Sequence, residues 1–285
     1  VNALSITEFT DPACPWAWSA EPHRLKLDWT YGDALEWEAR MVGLSEDPAE
    51  SAKRFTPEQM GGILAMIADK HGMPIYEGAP ERMQASFPAC RAVVATRLND
   101  EAKTHPLLRE LRKRCFSREL IDEPQVIDSA AEAVGIAAGD LTNWLADSAT
   151  EEAFQADMDA ARHPSPAALA ITRKLAEWDG GWRYTCPSYV MSRGDESITA
   201  PGFQPYESYE TAVANLAPDL EPRLPADSVI EVLDWAKERG EGSVATAEVA
   251  AVRGIAIDQA AEELSESGAS ELPVGKSAFW EMPHR

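Results

Sequence analysis

The 285 residues carry 48 acidic against 26 basic side chains, a formal net charge of −22 spread along the chain, and an apolar fraction of 45%. Such an anion repels nucleic acid and anionic membrane at long range, so neither is expected as a partner, while the apolar fraction suits a globular core. No stretch approaches the roughly 18 consecutive apolar residues of a membrane span, and the first strand starts too early to leave room for a signal segment, so a cytoplasmic protein is expected.

Leu4-Ser5-Ile6-Thr7-Glu8-Phe9 alternates as a strand and runs straight into Thr10-Asp11-Pro12-Ala13-Cys14-Pro15-Trp16-Ala17-Trp18. Pro15 suits a first helical turn, where its missing N–H is not needed, so Cys14 is expected at the N-cap of a helix. The helix dipole and free backbone donors there favour a thiolate. The spacing is that of a thioredoxin-type C-x-x-C site with Ala17 in place of the second cysteine, so the usual two-thiol cycle cannot close within the motif. A buried structural cysteine is the alternative reading, although such a thiol has no need of the Pro and Trp that follow. The helix is expected to run to Tyr31-Gly32, and Leu35–Val42 alternates as a second strand, which makes a βαβ unit with parallel strands.

From about residue 48 the pattern turns helical. Helices are expected from Pro57, from Phe87-Pro88, through Leu107, Leu108, Leu111 and Cys115, over Asp140–Leu145 and Glu151–Met158, and from Ala167 to Trp178. Cys115 falls on an apolar face and is expected in the core. Arg183–Met191 then reads as a strand with Pro187 near its start, suited to a first strand position or a cis peptide. Ser197–Ala200 is its partner, and Tyr206–Leu216 a closing helix.

Ala217–Pro225 is proline-rich and reads as a linker. Beyond it, three helices and a hairpin resemble a small winged-helix module. Its third helix carries Asp258, Glu262, Glu263 and Glu266 and no lysine or arginine, which argues against DNA and for docking or packing. The expected architecture is α/β: a thioredoxin-like domain over 1–216 with a helical insertion at about 48–180, a linker at 217–225 and a module at 226–285. The four cysteines, Cys14, Cys90, Cys115 and Cys186, are too few and scattered for a disulfide framework, and no pair has zinc-ligand spacing, so no metal is expected.

Asp11 through Pro22, Ser86 through Val93, Phe116 through Asp122 and Ala153 through Asp157 together resemble the DsbA-like thioredoxin-fold family. Within it the chain is similar to the branch containing the ClpXP adapter of the SpxH type and to the FrnE-like oxidoreductases. The resemblance implies that Thr185-Cys186-Pro187 forms a cis-proline loop facing Cys14. Cys186 would then replace the missing motif thiol, and Cys90 would be a third thiol near the same cleft.

The expected function is thiol–disulfide oxidation or reduction, with Cys14 as nucleophile, Cys186 as second thiol, and Pro15, Trp16, Ala17, Thr185 and Pro187 shaping the substrate groove. Trp18 is expected to share in the cleft wall. No cofactor is required, and a low-molecular-weight thiol could serve a monothiol cycle at Cys14. Partners would be protein thiols or small disulfides. The alternatives are a non-catalytic adapter that presents a client to a protease, and a thiol-cofactor-dependent isomerase or transferase.

Overall fold

The computed structural model describes residues 3–282, so the expected first domain begins, and the C-terminal module ends, in residues outside the described range. Strand β1 (Leu4–Thr10) leads through a tight turn into α1 (Pro15–Ser19) and α2 (Glu21–Tyr31), followed by β2 (Leu35–Met41). The single helix expected here is two, because Pro22 has no N–H to donate to the turn before it and the chain bends at Ala20. β1 pairs parallel to β2 from Leu4↔Leu35 to Thr10↔Met41, as the short βαβ spacing requires.

The helical block comprises α3 (Pro48–Arg54), α4 (Pro57–His71), α5 (Phe87–Asn99), α6 (Thr104–Phe116), α7 (Pro124–Ala133), α8 (Ala138–Ala146), α9 (Ser148–Ala161) and the one-turn α10 (Pro166–Leu169). It is fastened to the sheet through Asp157 of α9, which accepts the β2 backbone N–H of Met41 at 3.0 Å and a bidentate Arg97 pair at 2.8 and 2.9 Å. The helix expected over Ala167–Trp178 ends at Leu169. Leu175–Trp178 is instead strand β3, paired antiparallel to β4 (Gly181–Tyr184) across the Asp179-Gly180 turn, so the helical insertion stops short of residue 180. The Asp-Gly-Gly run is a hairpin signal that overrides the apolar spacing before it.

The strand expected over Arg183–Met191 is likewise interrupted. β4 ends at Tyr184, the Cys186–Pro187 peptide is cis, and β5 (Ser188–Arg193) begins afterwards. β5 is antiparallel to β1 and to β6 (Glu196–Ala200), which gives a four-stranded sheet in the order β2-β1-β5-β6 with α11 (Tyr206–Leu216) packed on it.

The segment read as a linker is irregular but pinned to α2. Trp29 Nε1 donates to the Leu224 carbonyl at 2.7 Å, and the Arg223 backbone N–H donates to the Thr30 carbonyl at 2.8 Å. The remainder holds α12 (Val229–Glu238), β7 (Val244–Ala245), α13 (Thr246–Arg253), α14 (Ile257–Glu266) and the hairpin β8 (Ser270–Val274) and β9 (Ser277–Glu281), with β9 central in its three-stranded sheet. Leu25 and Trp29 of α2 share an apolar cluster with Val232, Leu233, Val249, Leu264 and Trp280, so the C-terminal elements complete a core begun in the N-terminal βαβ unit.

A buried ionic network reinforces that junction. Arg109 of α6 donates to both oxygens of Glu248 at 2.6 and 2.7 Å and to the Ser243 carbonyl at 2.9 Å. Arg24 joins Asp28 and Glu241, and Arg112 joins Glu21 and Glu8. The hairpin also reaches the end of α4: Ser277 Oγ donates to the Gly72 carbonyl at 2.8 Å and Lys276 pairs with Asp69 at 2.8 Å. Gly275 bridges to Ile75 so closely that a β-carbon there would lie 2.0 Å from the Ile75 carbonyl oxygen, which only glycine allows.

Candidate functional site

Cys14 stands at the N-cap of α1 with Pro15 at the first helical position. Its place is set by Asp11, whose carbonyl accepts the Cys14 N–H at 3.1 Å and whose Oδ1 accepts the Ala13 N–H at 2.8 Å. The other oxygen of Asp11 accepts from Leu44 N at 2.9 Å, Ser86 Oγ at 2.7 Å and Cys90 Sγ at 3.4 Å. One buried carboxyl thus ties together the strand end, the loop after β2 and the start of α5. Burial pushes this carboxyl up from the ordinary aspartate range, against the pull of its hydrogen bonds.

The cis-proline loop brings Cys186 to Cys14, whose Sγ lies 3.4 Å from the Cys186 carbonyl oxygen and can donate to it when protonated. The loop is held by short hydrogen bonds: Thr185 Oγ1 donates to Lys174 O at 2.8 Å, Ser188 Oγ donates to Thr185 O at 2.6 Å, and Gly202 N donates to Ser188 Oγ at 2.9 Å. None of the four cysteines is disulfide-bonded.

The two sulfurs titrate in opposite directions. A hydrogen bond from the Cys186 thiol holds the Cys14 thiol below the ordinary range; burial and the Asp11 charge oppose it, and the backbone N–H groups of Ala17 and Trp16 assist. Burial pushes the Cys186 thiol far up, and the adjacent Cys14 charge pushes it the same way. Of the pair, Cys14 is therefore the more readily ionised thiol, which suits it to act as the nucleophile.

The remaining predicted residues separate. Ala17 is buried in the apolar cluster that holds Cys14, Cys186, Phe9 and Tyr184. Trp16 is half-buried, edge-on to His71 at 5.6 Å and to Phe203 at 5.8 Å. Trp18 is wholly buried, donates to the Pro74 carbonyl at 2.9 Å and stacks on Phe116, so it supports the core and does not wall the cleft. Cys90 is fully buried against Asp11, borders neither cavity described below, and is pushed far up first by burial and then by the Asp11 charge. Cys115 is buried on α6, accepts from Gln84 Nε2 at 3.3 Å and is pushed up to about 12 by burial.

Two cavities meet at the site, and among the described residues only Trp16 lines both. One, of about 400 Å³, is bordered by Cys14 and by Phe55, Met60, Ile63 and Tyr76 of the helical block. The other, of about 850 Å³, is bordered by Cys186 and Thr185 and by Lys70, His71, Arg173 and Lys174. Neither lining was evident from sequence, because its members lie far apart along the chain. The basic doublets Lys70-His71 and Arg173-Lys174, uncommon in so acidic a chain, were the available signal.

The family model described as thioredoxin matches residues 8–165, more than half of the chain. Two relatives are the ClpXP adapter protein SpxH of Bacillus subtilis and that of Halalkalibacterium halodurans. The first is 24% identical over 92% of this chain and 82% of its own length. The second is 21% identical over 97% of this chain and 88% of its own length. Among solved structures, a probable DsbA oxidoreductase from Streptomyces coelicolor superposes with a TM-score of 0.53 at 18% identity, covering 79% of this chain and 94% of its own. At that identity the likeness establishes the fold alone.

Proposed function

Since the chain belongs to the thioredoxin family, we propose that it is a thiol–disulfide oxidoreductase of the DsbA-like kind with a split dithiol, Cys14 from the helix N-cap and Cys186 from the cis-proline loop. The observation that carries this reading is the approach of the Cys14 Sγ to within 3.4 Å of the Cys186 carbonyl oxygen at the cis-proline loop, with the Cys14 thiol held low by a hydrogen bond from the Cys186 thiol. The Cys14 thiolate attacks one sulfur of a substrate disulfide and expels the other as a thiolate. The Cys186 sulfur then attacks Cys14, passes its proton to the departing substrate thiolate, and leaves a Cys14–Cys186 disulfide. Two equivalents of a low-molecular-weight thiol return the site to its reduced form.

Pro15, Trp16, Ala17, Thr185 and Pro187 border the reacting sulfurs in this reading, and protein or small disulfides are the substrates. A cytoplasmic setting belongs to the same proposal. The test is reduction of hydroxyethyl disulfide followed by intact mass. Cys14→Ser is expected to abolish turnover, and Cys186→Ser to accumulate a mixed disulfide on Cys14. A wild-type rate in Cys14→Ser would exclude the mechanism.

One observation favours a second reading, that of an adapter. The SpxH relatives align over more than nine-tenths of the chain, which includes the C-terminal elements beyond the thioredoxin core. An adapter binds its client through surface, so equal client affinity in wild type and Cys14→Ser, with no turnover in either, would move the conclusion there.

A further inference from the structure

The two reacting sulfurs do not share an environment. Cys14 borders the smaller cavity, whose two cations, Arg54 and Arg82, are paired with Glu50 and with Asp122 and Glu123, whereas Cys186 borders the larger one; among the described residues only Trp16 lines both. The Cys186 cleft is lined by Lys70, Arg173 and Lys174 and, among the described residues, by one acidic residue, Glu207. In a chain with 48 acidic and 26 basic side chains this is a local reversal of sign, and it surrounds a redox sulfur. Lys174 is held in place, donating from Nζ to the Phe203 carbonyl at 2.8 Å. Two further lining residues leave buried polar atoms without a hydrogen-bond partner among the described residues, His23 Nδ1 and His71 Nε2. A volume of about 850 Å³ accommodates a small ligand.

We propose that this cationic cleft binds a small carboxylate-bearing thiol, which reduces the Cys14–Cys186 disulfide by attacking Cys186, so that the incoming disulfide and the reducing thiol reach the site through different cavities. The inference rests on the oxidoreductase reading above. The thiolate of the small molecule bonds to Cys186 Sγ, the bond between the two cysteines breaks, and Cys14 departs with the electron pair as a thiolate. A second small thiolate attacks the outer sulfur of the Cys186 adduct. It forms the small-molecule disulfide and releases Cys186, which takes up a proton. Over the full cycle one substrate disulfide is reduced and two small thiols are oxidised. The regiochemistry agrees with the titration of the pair, because the sulfur with the lower pKa is the better leaving group and that is Cys14.

The experiment uses the full chain oxidised with diamide, with the Cys14–Cys186 link verified by peptide mapping. It is reduced in parallel by 3-mercaptopropionate and 2-mercaptoethanol, which differ by a carboxylate, and rates are corrected for thiolate fraction. The carboxylate is expected to accelerate reduction about fivefold at low salt, and the advantage to vanish in Lys70→Gln/Arg173→Gln and at high salt. Rapid quenching should place the adduct on Cys186. Equal rates for the two thiols, or an adduct on Cys14, would overturn this inference while leaving the oxidoreductase reading intact. Failure of the link to form at all would overturn both.

Discussion

Asp11 and Glu21 are both buried carboxyl groups at the edges of α1, yet their surroundings drive them apart. Asp11 is met by neutral donors, namely two backbone N–H groups, the Ser86 hydroxyl and the Cys90 thiol, and burial raises it above the ordinary range. Glu21 suffers the same burial but faces Arg24, Arg112 and Arg109, which together hold it down at about 2. Neutral hydrogen bonds do not offset the loss of water around a carboxylate, whereas several guanidiniums do. The first region therefore keeps an adjustable charge beside the redox sulfur. The second keeps a permanent one where α2, α6 and the C-terminal elements meet.

Breaking the second region should have the largest effect. Arg109→Ala strands the Glu248 carboxylate and the Ser243 carbonyl in the interior, and a loss of about 3–5 kcal/mol in urea unfolding is expected. A loss below about 1 kcal/mol would mean that apolar packing alone holds the junction.

A smaller effect separates the two carboxyls by pH. With its folded pKa depressed from 4.5 to about 2, Glu21 contributes stability that is present above pH 4.5 and is lost as pH falls towards 2. The stability gap between wild type and Glu21→Gln should therefore narrow by about 2 kcal/mol between pH 6 and pH 3. A gap that stays constant over that range would show that the glutamate is not ionised by its arginines. For Asp11 the sign reverses: its raised pKa gives a contribution present at low pH and lost as pH rises through the folded value.

The subtlest test lies in the first region. The Asp11 charge opposes ionisation of Cys14, so Asp11→Asn should move the pH profile of Cys14 alkylation to lower pH. Iodoacetamide labelling read by peptide mass would report it, and a shift to higher pH would show that Asp11 acts by positioning alone.

Local rules made much of this legible. β1 running into Pro15 placed Cys14 at an N-cap, the short spacing to Leu35 made β2 parallel, and the resemblance carried by Thr185-Cys186-Pro187 led to the cis bond. They failed where one local preference competed with another. Pro22 divided a helix whose apolar spacing continued through it, and Asp179-Gly180-Gly181 turned Leu175–Trp178 into a strand. In both places the backbone constraint prevailed because a missing donor or a tight turn leaves the chain no alternative hydrogen-bonding pattern.

What the residue order determined by itself was the chemistry present: one thiol at a helix start, another beside a proline, and no second cysteine in the motif. Which groups tune those thiols was decided only in three dimensions. Asp11 meets Ser86 and Cys90, Lys70 and Arg173 line the same Cys186 cleft, and Arg109 meets Glu248 139 positions away. Neither periodicity nor capping reports on pairs so far apart. Burial and Coulomb energy depend on distance through space, and packing sets that distance.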